Sequence, residues 1–235
     1  MVLGFGAPYV LLISVALKTA SASAAGSLNP CVMAIVSLVL GAVIFGDRIG
    51  PLAIAGATLV LAGACMFAGL AGTLAIGHLI LVGTGVLWAV YAVVIRRCGI
   101  SALHATAIVA VGSAILYLPV YVLVLPRRVF DAPVLDLLAQ ACFQGVLVSV
   151  FAVFAFNRSA ELLGPVAGAT LPALVPVVTL MIGAMALHER AGGAEYFSAG
   201  LVGLGVAGIL VSRVLGAGSK QYRQRHHNAS APSRP

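Results

Sequence analysis

Two aromatic residues stand three positions apart in a long uncharged stretch, Trp88 and Tyr91, and Gly85 precedes Trp88 by a further three. At helical spacing these positions share one face, so a small gap would lie beside two rings. Rings in this arrangement can stack a ligand, which makes the face a candidate binding site. Arg96 and Arg97 follow closely, and the alternative is that both rings belong to the aromatic belt at a membrane surface.

Further polar side chains occur in the apolar stretches downstream. Ser113, Tyr117 and Tyr121 recur every fourth residue and form a stripe on one helix face, which suits either a ligand or helix packing. Gln144 brings an amide into a later stretch, where a neighbouring helix, water or a substrate must satisfy it. Asn157 lies near the end of that stretch, where an amide can cap a helix.

Prolines interrupt two apolar stretches at related positions. Pro30, Pro172 and Pro176 each remove a backbone donor and release the carbonyl one turn earlier, which can kink or open a helix. Broken helices often line carrier sites, and a kink that only aids packing is the alternative. Asn29 precedes Pro30 and could supply an amide. The candidate substrate-binding residues are therefore Trp88, Tyr91, Ser113, Tyr117, Gln144, Asn29, Pro172 and Pro176.

Catalytic and metal sites are not indicated. No charged residue falls near the middle of an apolar stretch, so a buried charge relay is not expected. Ser113 and His104 would lie about 13 Å apart along one helix, too far for a nucleophile and its base. The 4 cysteines lack metal-ligand or redox spacing, and His226 and His227 stand side by side in a polar tail. We expect no catalytic residue, metal or cofactor; an intramembrane enzyme is the rival function.

The composition places the chain in a lipid bilayer. Hydrophobic residues make up 62% and charged residues 8%, whereas a water-soluble domain has about 25% charged residues. The stretches lack the alternation of a membrane β-barrel, so we predict an all-α integral membrane protein, a helical bundle of about eight transmembrane helices. The predicted helices are Val2–Leu17, Ala24–Gly46, Ile49–Ala71, Leu74–Ile95, Ala102–Leu125, Leu137–Phe156, Val166–Leu187 and Phe197–Leu215.

A sequence repeat relates two parts of the chain. Residues 26–50 and 168–192 align without a gap at a separation of 142 residues, which pairs Asp47 with Glu189. Five predicted helices, an odd number, lie between Asp47 and Glu189, so the two acids and the copies that they end face opposite sides of the membrane. An inverted repeat is typical of a carrier, because a site between two similar bundles can open to either side.

The basic residues indicate the orientation. The net charge is +7, and four basic residues and no acid lie in residues 216–235, which we predict to be a disordered cytoplasmic tail. This tail suits a positive anchor better than nucleic-acid recognition, so no nucleic-acid partner is expected. Eight helices then place nine Lys and Arg residues on the cytoplasmic side and four on the other. Both termini are therefore predicted to be cytoplasmic.

Four segments carry a resemblance to a known family. They are ALKTASASAAGSLNP at 16–30, LWAVYAVVIRR at 87–97, AELLGPVAGATLPALVPV at 160–177 and ALHER at 186–190. In order and spacing they resemble the EamA-type permeases of the drug/metabolite transporter superfamily. The resemblance implies a ten-helix carrier of two inverted five-helix repeats that moves small metabolites or drugs, often outward.

The chain departs from that pattern at its start. Residues 1–71 resemble a partial first repeat of three helices that begins at the third, whereas residues 74–215 resemble a complete second repeat. The first two helices are therefore expected to be missing. Either the chain is a reduced carrier or coding begins upstream of Met1, and we favour the second alternative because the pathway would otherwise lack part of one wall.

The paired acids are the second departure. Asp47 stands where the family usually has glutamate, as Glu189 does in the second copy. Arg48 and Arg190 follow them at predicted helix ends. Interfacial ion pairing or capping of the next helix is expected of both acids, and substrate or proton handling is the alternative.

The function expected from these patterns is transport. We expect an inner-membrane permease that exports a small organic metabolite, amino-acid-like or drug-like, by alternating access. Its partners would be the substrate and the bilayer. Ala199, Gly203 and Ala207 recur every fourth residue and would permit a homodimer or, equally, internal packing. A truncated, non-transporting membrane protein is a further alternative.

Overall fold

The computed structural model describes residues 1–69, 75–123, 132–186 and 192–229, and these residues contain helices and short connections but no strand. The helices are α1 Val2–Phe5, α2 Ala7–Ala16, α3 Ala22–Phe45, α4 Pro51–Ala68, α5 Ile76–Cys98, α6 Ala102–Leu123, α7 Val134–Gln140, α8 Val153–Leu163, α9 Pro165–Thr170, α10 Val175–Ala186 and α11 Gly193–Ala229. A π-helical segment, Ala141–Ala152, joins α7 to α8, and a 3-10 turn, Leu171–Leu174, joins α9 to α10.

Apolar helices of spanning length confirm the predicted class. Within the described residues, five segments are long and apolar enough to cross a membrane: Ala24–Phe45, Ile76–Cys98, Ala102–Leu123, Val134–Leu163 and Gly193–Ser212. The shorter apolar segments are Val2–Ala16, Pro51–Phe67 and Leu171–Ile182. Each overlaps one of the eight helices predicted from the sequence. The protein is therefore an all-α integral membrane protein.

The helix predicted at Val2–Leu17 is broken at Gly6, so that two helices, α1 and α2, replace one. Pro8 lies in the first turn of α2, where its missing N–H has no helical partner to lose. The Ala7 N–H, which begins α2, donates to Ser113 Oγ of α6 at 3.0 Å. Gly6 is buried, and a Cβ there would strike the Ser113 side chain. A contact with a distant helix thus fixes the break.

The prolines have two different effects. Pro30 lies inside the uninterrupted helix α3, whereas Pro172 lies in the 3-10 turn that separates α9 from α10. Pro176 follows in the first turn of α10 and is buried. Two prolines one turn apart remove two helical donors, which a single proline does not. The break that the sequence left open is therefore present at Pro172 and absent at Pro30.

The segment that joins α7 to α8 is open to the surroundings. Every residue from Leu138 to Ala152 is exposed. Within it, Ser149 Oγ donates to the carbonyl of Gln144, five residues earlier, at 2.6 Å, which follows the wide π-helical turn. This apolar surface faces lipid or another helix.

Two clusters of buried residues hold the helices together. The first lies between α2, α3, α4, α5, α9, the 3-10 turn and α11, and includes Val60, Ala173, Val202 and Ile209. The second lies between α3, α5, α6 and α8, and includes Met33, Tyr91, Val109 and Phe156. α3 and α5 contribute to both, so these two helices connect the two parts of the core.

Helices α4 and α11 pack through glycines in a reciprocal manner. A Cβ built on Gly56 would lie 2.5 Å from the Gly205 carbonyl oxygen, and a Cβ on Gly205 would lie 2.5 Å from that of Gly56. One on Gly63 would lie 2.8 Å from the Ser198 carbonyl oxygen. Gly56 and Ser198 are 142 residues apart, as are Gly63 and Gly205. The related positions therefore exchange partners across an antiparallel helix pair, as a two-fold axis between the helices requires.

The end of α11 extends beyond the predicted span. The helix continues to Ala229, into the segment from 216 for which the sequence predicts disorder. Lys, Gln and Arg are frequent between 220 and 225, and these residues favour helix.

The small residues that recur every fourth position in the span of α11 do not share one environment, because Ala199 is buried, Ala207 is exposed and a Cβ on Gly203 would meet nothing within 4 Å. The homodimer stays a prediction.

Candidate functional site

Five aromatic rings meet where α1, α2, α5 and α8 approach one another. They belong to Phe5, Tyr9, Trp88, Tyr91 and Phe156, which we call the aromatic cluster. Trp88 and Tyr91 are one turn apart on α5, as the sequence predicted. Tyr91 is 1% exposed, so its ring lies inside the bundle and not in an aromatic belt at the membrane surface.

Phe5 is the centre of the aromatic cluster. Its ring lies 4.8 Å from Trp88 and 5.2 Å from Tyr91, centroid to centroid, and is nearly parallel to both, at 24° and 18°. It also lies 5.3 Å from Tyr9 and 5.8 Å from Phe156. Each of the four other rings therefore contacts Phe5, at separations typical of attractive aromatic pairs.

A buried amide fixes the Tyr9 ring. The Tyr9 hydroxyl donates to Asn29 Oδ1 at 2.9 Å, and Asn29 Nδ2 donates to Thr84 Oγ1 at 2.6 Å. The Thr84 hydroxyl in turn donates to the carbonyl of Leu81 at 2.9 Å. This chain of hydrogen bonds joins α2, α3 and α5. Asn29 lies on the side of α3 that faces α5, and its contact with a substrate stays a prediction.

A second amide fixes the Tyr91 ring in the same manner. The Tyr91 hydroxyl donates to Asn157 Oδ1 at 3.0 Å, and Asn157 Nδ2 donates to Thr106 Oγ1 at 3.0 Å. Asn157 is fully buried, and α8 continues beyond it to Leu163. Asn157 therefore does not cap a helix, which was one interpretation of the sequence. It joins α5, α6 and α8.

One polar group of the aromatic cluster has no partner. The Trp88 Nε1–H is buried and meets no acceptor among the atoms that the structure describes. A buried indole N–H normally finds an acceptor, because leaving it unpaired costs about 1–3 kcal/mol. The other groups of the cluster and its two hydrogen-bond chains are satisfied and uncharged. The site thus offers apolar ring faces and one free donor.

Gly85 does not provide the gap predicted beside the two rings. A Cβ on Gly85 would lie 2.7 Å from the carbonyl oxygen of Asn29 and 2.9 Å from Val32. The space above Gly85 is therefore filled by the backbone of α3. This glycine allows α3 and α5 to approach closely, which brings Asn29 within reach of Thr84.

The structure brings only some of the other sequence candidates to the cluster. Ser113 receives the Ala7 N–H beside Phe5, as part of the α1–α2 break. Tyr117 stacks on Tyr121, with centroids 6.1 Å apart, and Gln144 is exposed in the π-helical segment.

Pro172 and Pro176 flank Ala173, which belongs to the other buried cluster. Their break in α9–α10 therefore borders the core formed with α3, α4 and α11. The described residues do not connect these prolines to the aromatic rings.

Charged groups lie at the ends of α3 and α5. Arg96 Nη1 donates to Asp47 Oδ2 at 2.9 Å, and the guanidinium lies over the Phe45 ring, 3.8 Å from its centroid. Asp47 therefore forms an ion pair with Arg96 of α5 at the end of α3. It does not cap α4, which begins after Gly50. The other predicted pair, Glu189 with Arg190, lies outside the described residues.

The candidate metal-ligating and catalytic side chains lie apart in the part of the chain that the structure describes. No group of three His, Cys, Asp or Glu side chains that could hold a metal ion occurs in the described residues. Ser113 bonds to Ala7, while His104 bonds to Ser101 at 2.7 Å at the start of α6.

Comparisons with known proteins agree with this architecture. The sequence profile described as "EamA-like transporter family" matches residues 75–211, nearly the segment predicted to be the second repeat. A solved structure described only as "Crystal structure of protein" has a similar fold, with a TM-score of 0.64 and 24% identity over 86% of this chain and 73% of the other. No curated protein matches the sequence significantly. Since the profile covers more than half of the chain, the protein belongs to the EamA-like transporter family.

Proposed function

We propose that the protein exports a small organic metabolite by alternating access and performs no covalent chemistry. The aromatic cluster and its two hydrogen-bond chains carry this proposal. Phe5, Tyr9 and Asn29 come from the predicted first repeat, whereas Trp88 and Tyr91 come from the second. A site between two related bundles can be opened to either side when the bundles rock, which is how inverted-repeat carriers bind substrate.

Transport by the full chain tests this proposal. Cells that express it are loaded with labelled amino acids and with common toxic compounds, and efflux and resistance are measured. We expect expression to raise efflux of at least one compound. Trp88→Ala should reduce that efflux roughly tenfold, since losing about 1.4 kcal/mol of stabilisation changes a rate by that factor.

Phe143→Ala is the matched control. Phe143 is an aromatic residue in the π-helical segment and is 54% exposed, so its loss should leave efflux unchanged. No change in flux for any compound, or equal activity of the Trp88 and Phe143 variants, would contradict the proposed role of the aromatic cluster.

We further propose an inner-membrane location with both termini in the cytoplasm and with the loops at Asp47 and Glu189 on opposite sides. The excess of Lys and Arg on one side supports this orientation. In a chain without its native cysteines, Arg48→Cys and Arg190→Cys should react with a membrane-impermeant maleimide from opposite sides. Labelling of both from the same side would rule out the inverted arrangement.

A further inference from the structure

We infer that the aromatic cluster binds a flat, uncharged ring that carries a hydrogen-bond acceptor, and that the Phe5 ring holds the ligand's place in this structure. The physiological role of such binding rests on the proposed transport function. The binding itself is a separate property and can be measured without transport.

Phe5 occupies the position that we assign to the ring of the ligand. Its ring stacks nearly parallel on Trp88 and on Tyr91 and also contacts Tyr9 and Phe156. A flat ligand that replaced Phe5 would gain the same ring contacts, which are attractive beyond the burial of apolar surface. The Tyr9 and Tyr91 rings would keep their places, because Asn29 and Asn157 hold the two tyrosine hydroxyls.

Phe5 is attached to the bundle through a very short helix. Phe5 ends α1, a helix of four residues, and Gly6 follows with an extended backbone before α2 begins. A single helical turn has little stability of its own, since nucleation outweighs the few hydrogen bonds formed. Phe5 is also only half-buried. Of the five rings, Phe5 is therefore the one that can leave without disturbing a long helix.

The unpaired Trp88 Nε1–H indicates which polar group the ligand carries. The phenyl ring of Phe5 has no acceptor to offer, so the Trp88 Nε1–H remains unpaired beside it. A ligand with a carbonyl or similar acceptor at the ring edge would satisfy this donor. The contacting side chains are uncharged, so a net charge on the ligand would be buried without a counter-ion. A neutral aromatic amide or ketone fits these requirements.

Trp88 is the only tryptophan in the chain, so its fluorescence reports on this site alone. Purified full-length protein is titrated with benzamide, a flat neutral ring with a carbonyl acceptor. We expect saturable quenching. Phe5→Ala should lower the Kd for benzamide at least tenfold, since it removes the competing ring. Phe151→Ala, at a ring that is 61% exposed in the π-helical segment, should leave the Kd unchanged.

Two related compounds test the ligand chemistry. Cyclohexanecarboxamide keeps the acceptor but lacks the flat ring, and benzylamine keeps the ring but is protonated and offers no acceptor. Both should bind Phe5→Ala at least tenfold more weakly than benzamide does. Phe5→Leu serves as the second variant, since it keeps an apolar side chain, and should also bind benzamide more tightly than the parent chain.

The outcomes separate this inference from the transport proposal. An unchanged or raised Kd in both folded Phe5 variants would overturn the inference, and so would failure of both variants to fold, because Phe5 would then be a fixed part of the core. If the Phe5 variants bind benzamide more tightly than the parent chain does, but the parent chain transports nothing, the binding site is upheld and the transport proposal is refuted. Normal transport without saturable benzamide binding would overturn the inference and leave the transport proposal standing.

Discussion

Replacing Asn157 with leucine is expected to lower the free energy of unfolding by about 1–3 kcal/mol and to abolish substrate efflux. Leucine has a similar size, so little volume is lost. The Tyr91 hydroxyl, however, loses its acceptor at 3.0 Å in a place where Tyr91 is 1% exposed and water cannot substitute. Thr106 is less affected, because its hydroxyl also donates to the carbonyl of Ala102.

A double-mutant cycle isolates this contact. Tyr91→Phe removes the hydroxyl, so Asn157→Leu should cost less in the Tyr91→Phe background than in the parent chain, and the difference measures the coupling. Unfolding is followed by the emission of Trp88 in mixed detergent micelles at rising denaturing-detergent fraction. Gln144→Leu is the matched control, since this amide is exposed in the π-helical segment, and should cause no loss. Equal losses for Asn157→Leu and Gln144→Leu would contradict the buried role of Asn157.

The helical bundle could be predicted because lipid leaves a spanning chain few alternatives. Each apolar stretch must satisfy its own backbone, so length and composition already indicate a helix. The break at Gly6 could not be predicted in this way. It depends on Ser113, which lies 106 residues from its partner Ala7 in the sequence. The π-helical turns at Ala141–Ala152 likewise have no local signal, since that stretch reads as an ordinary apolar helix.

The aromatic cluster was partly visible in the sequence. Trp88, Tyr91 and Asn29 attract notice because polar and amphipathic groups are uncommon in apolar stretches, and the structure brings all three to one place. Phe5 and Phe156 carry no such signal, since phenylalanine is ordinary in a membrane helix. Tyr9 is not among the sequence candidates. For Asn157 the sequence shows a polar group near a helix end, but the face of the helix that carries it depends on packing.

Alanine at Gly205 is expected to destabilise the bundle although alanine favours helix over glycine. A Cβ there would lie 2.5 Å from the Gly56 carbonyl oxygen and 2.8 Å from Val60, so α4 and α11 must separate. Overpacking of this kind costs about 1–3 kcal/mol of the free energy of unfolding. Because the contact involves backbone atoms, a side-chain rotation cannot relieve it and the helices themselves must move apart. The unfolding free energy in mixed micelles, again read from Trp88, measures the loss.

Gly203→Ala is the matched control on the same helix. A Cβ at Gly203 would meet nothing within 4 Å, so this variant should gain up to about 1 kcal/mol from helix propensity. Gly56→Ala should reproduce the loss seen at Gly205, because it enters the same contact from the other side. The double variant should then cost less than the two losses together, since one separation of the helices relieves both. Additive losses at Gly56 and Gly205 would show that the two glycines do not face each other, and would remove the reciprocal contact that relates α4 to α11.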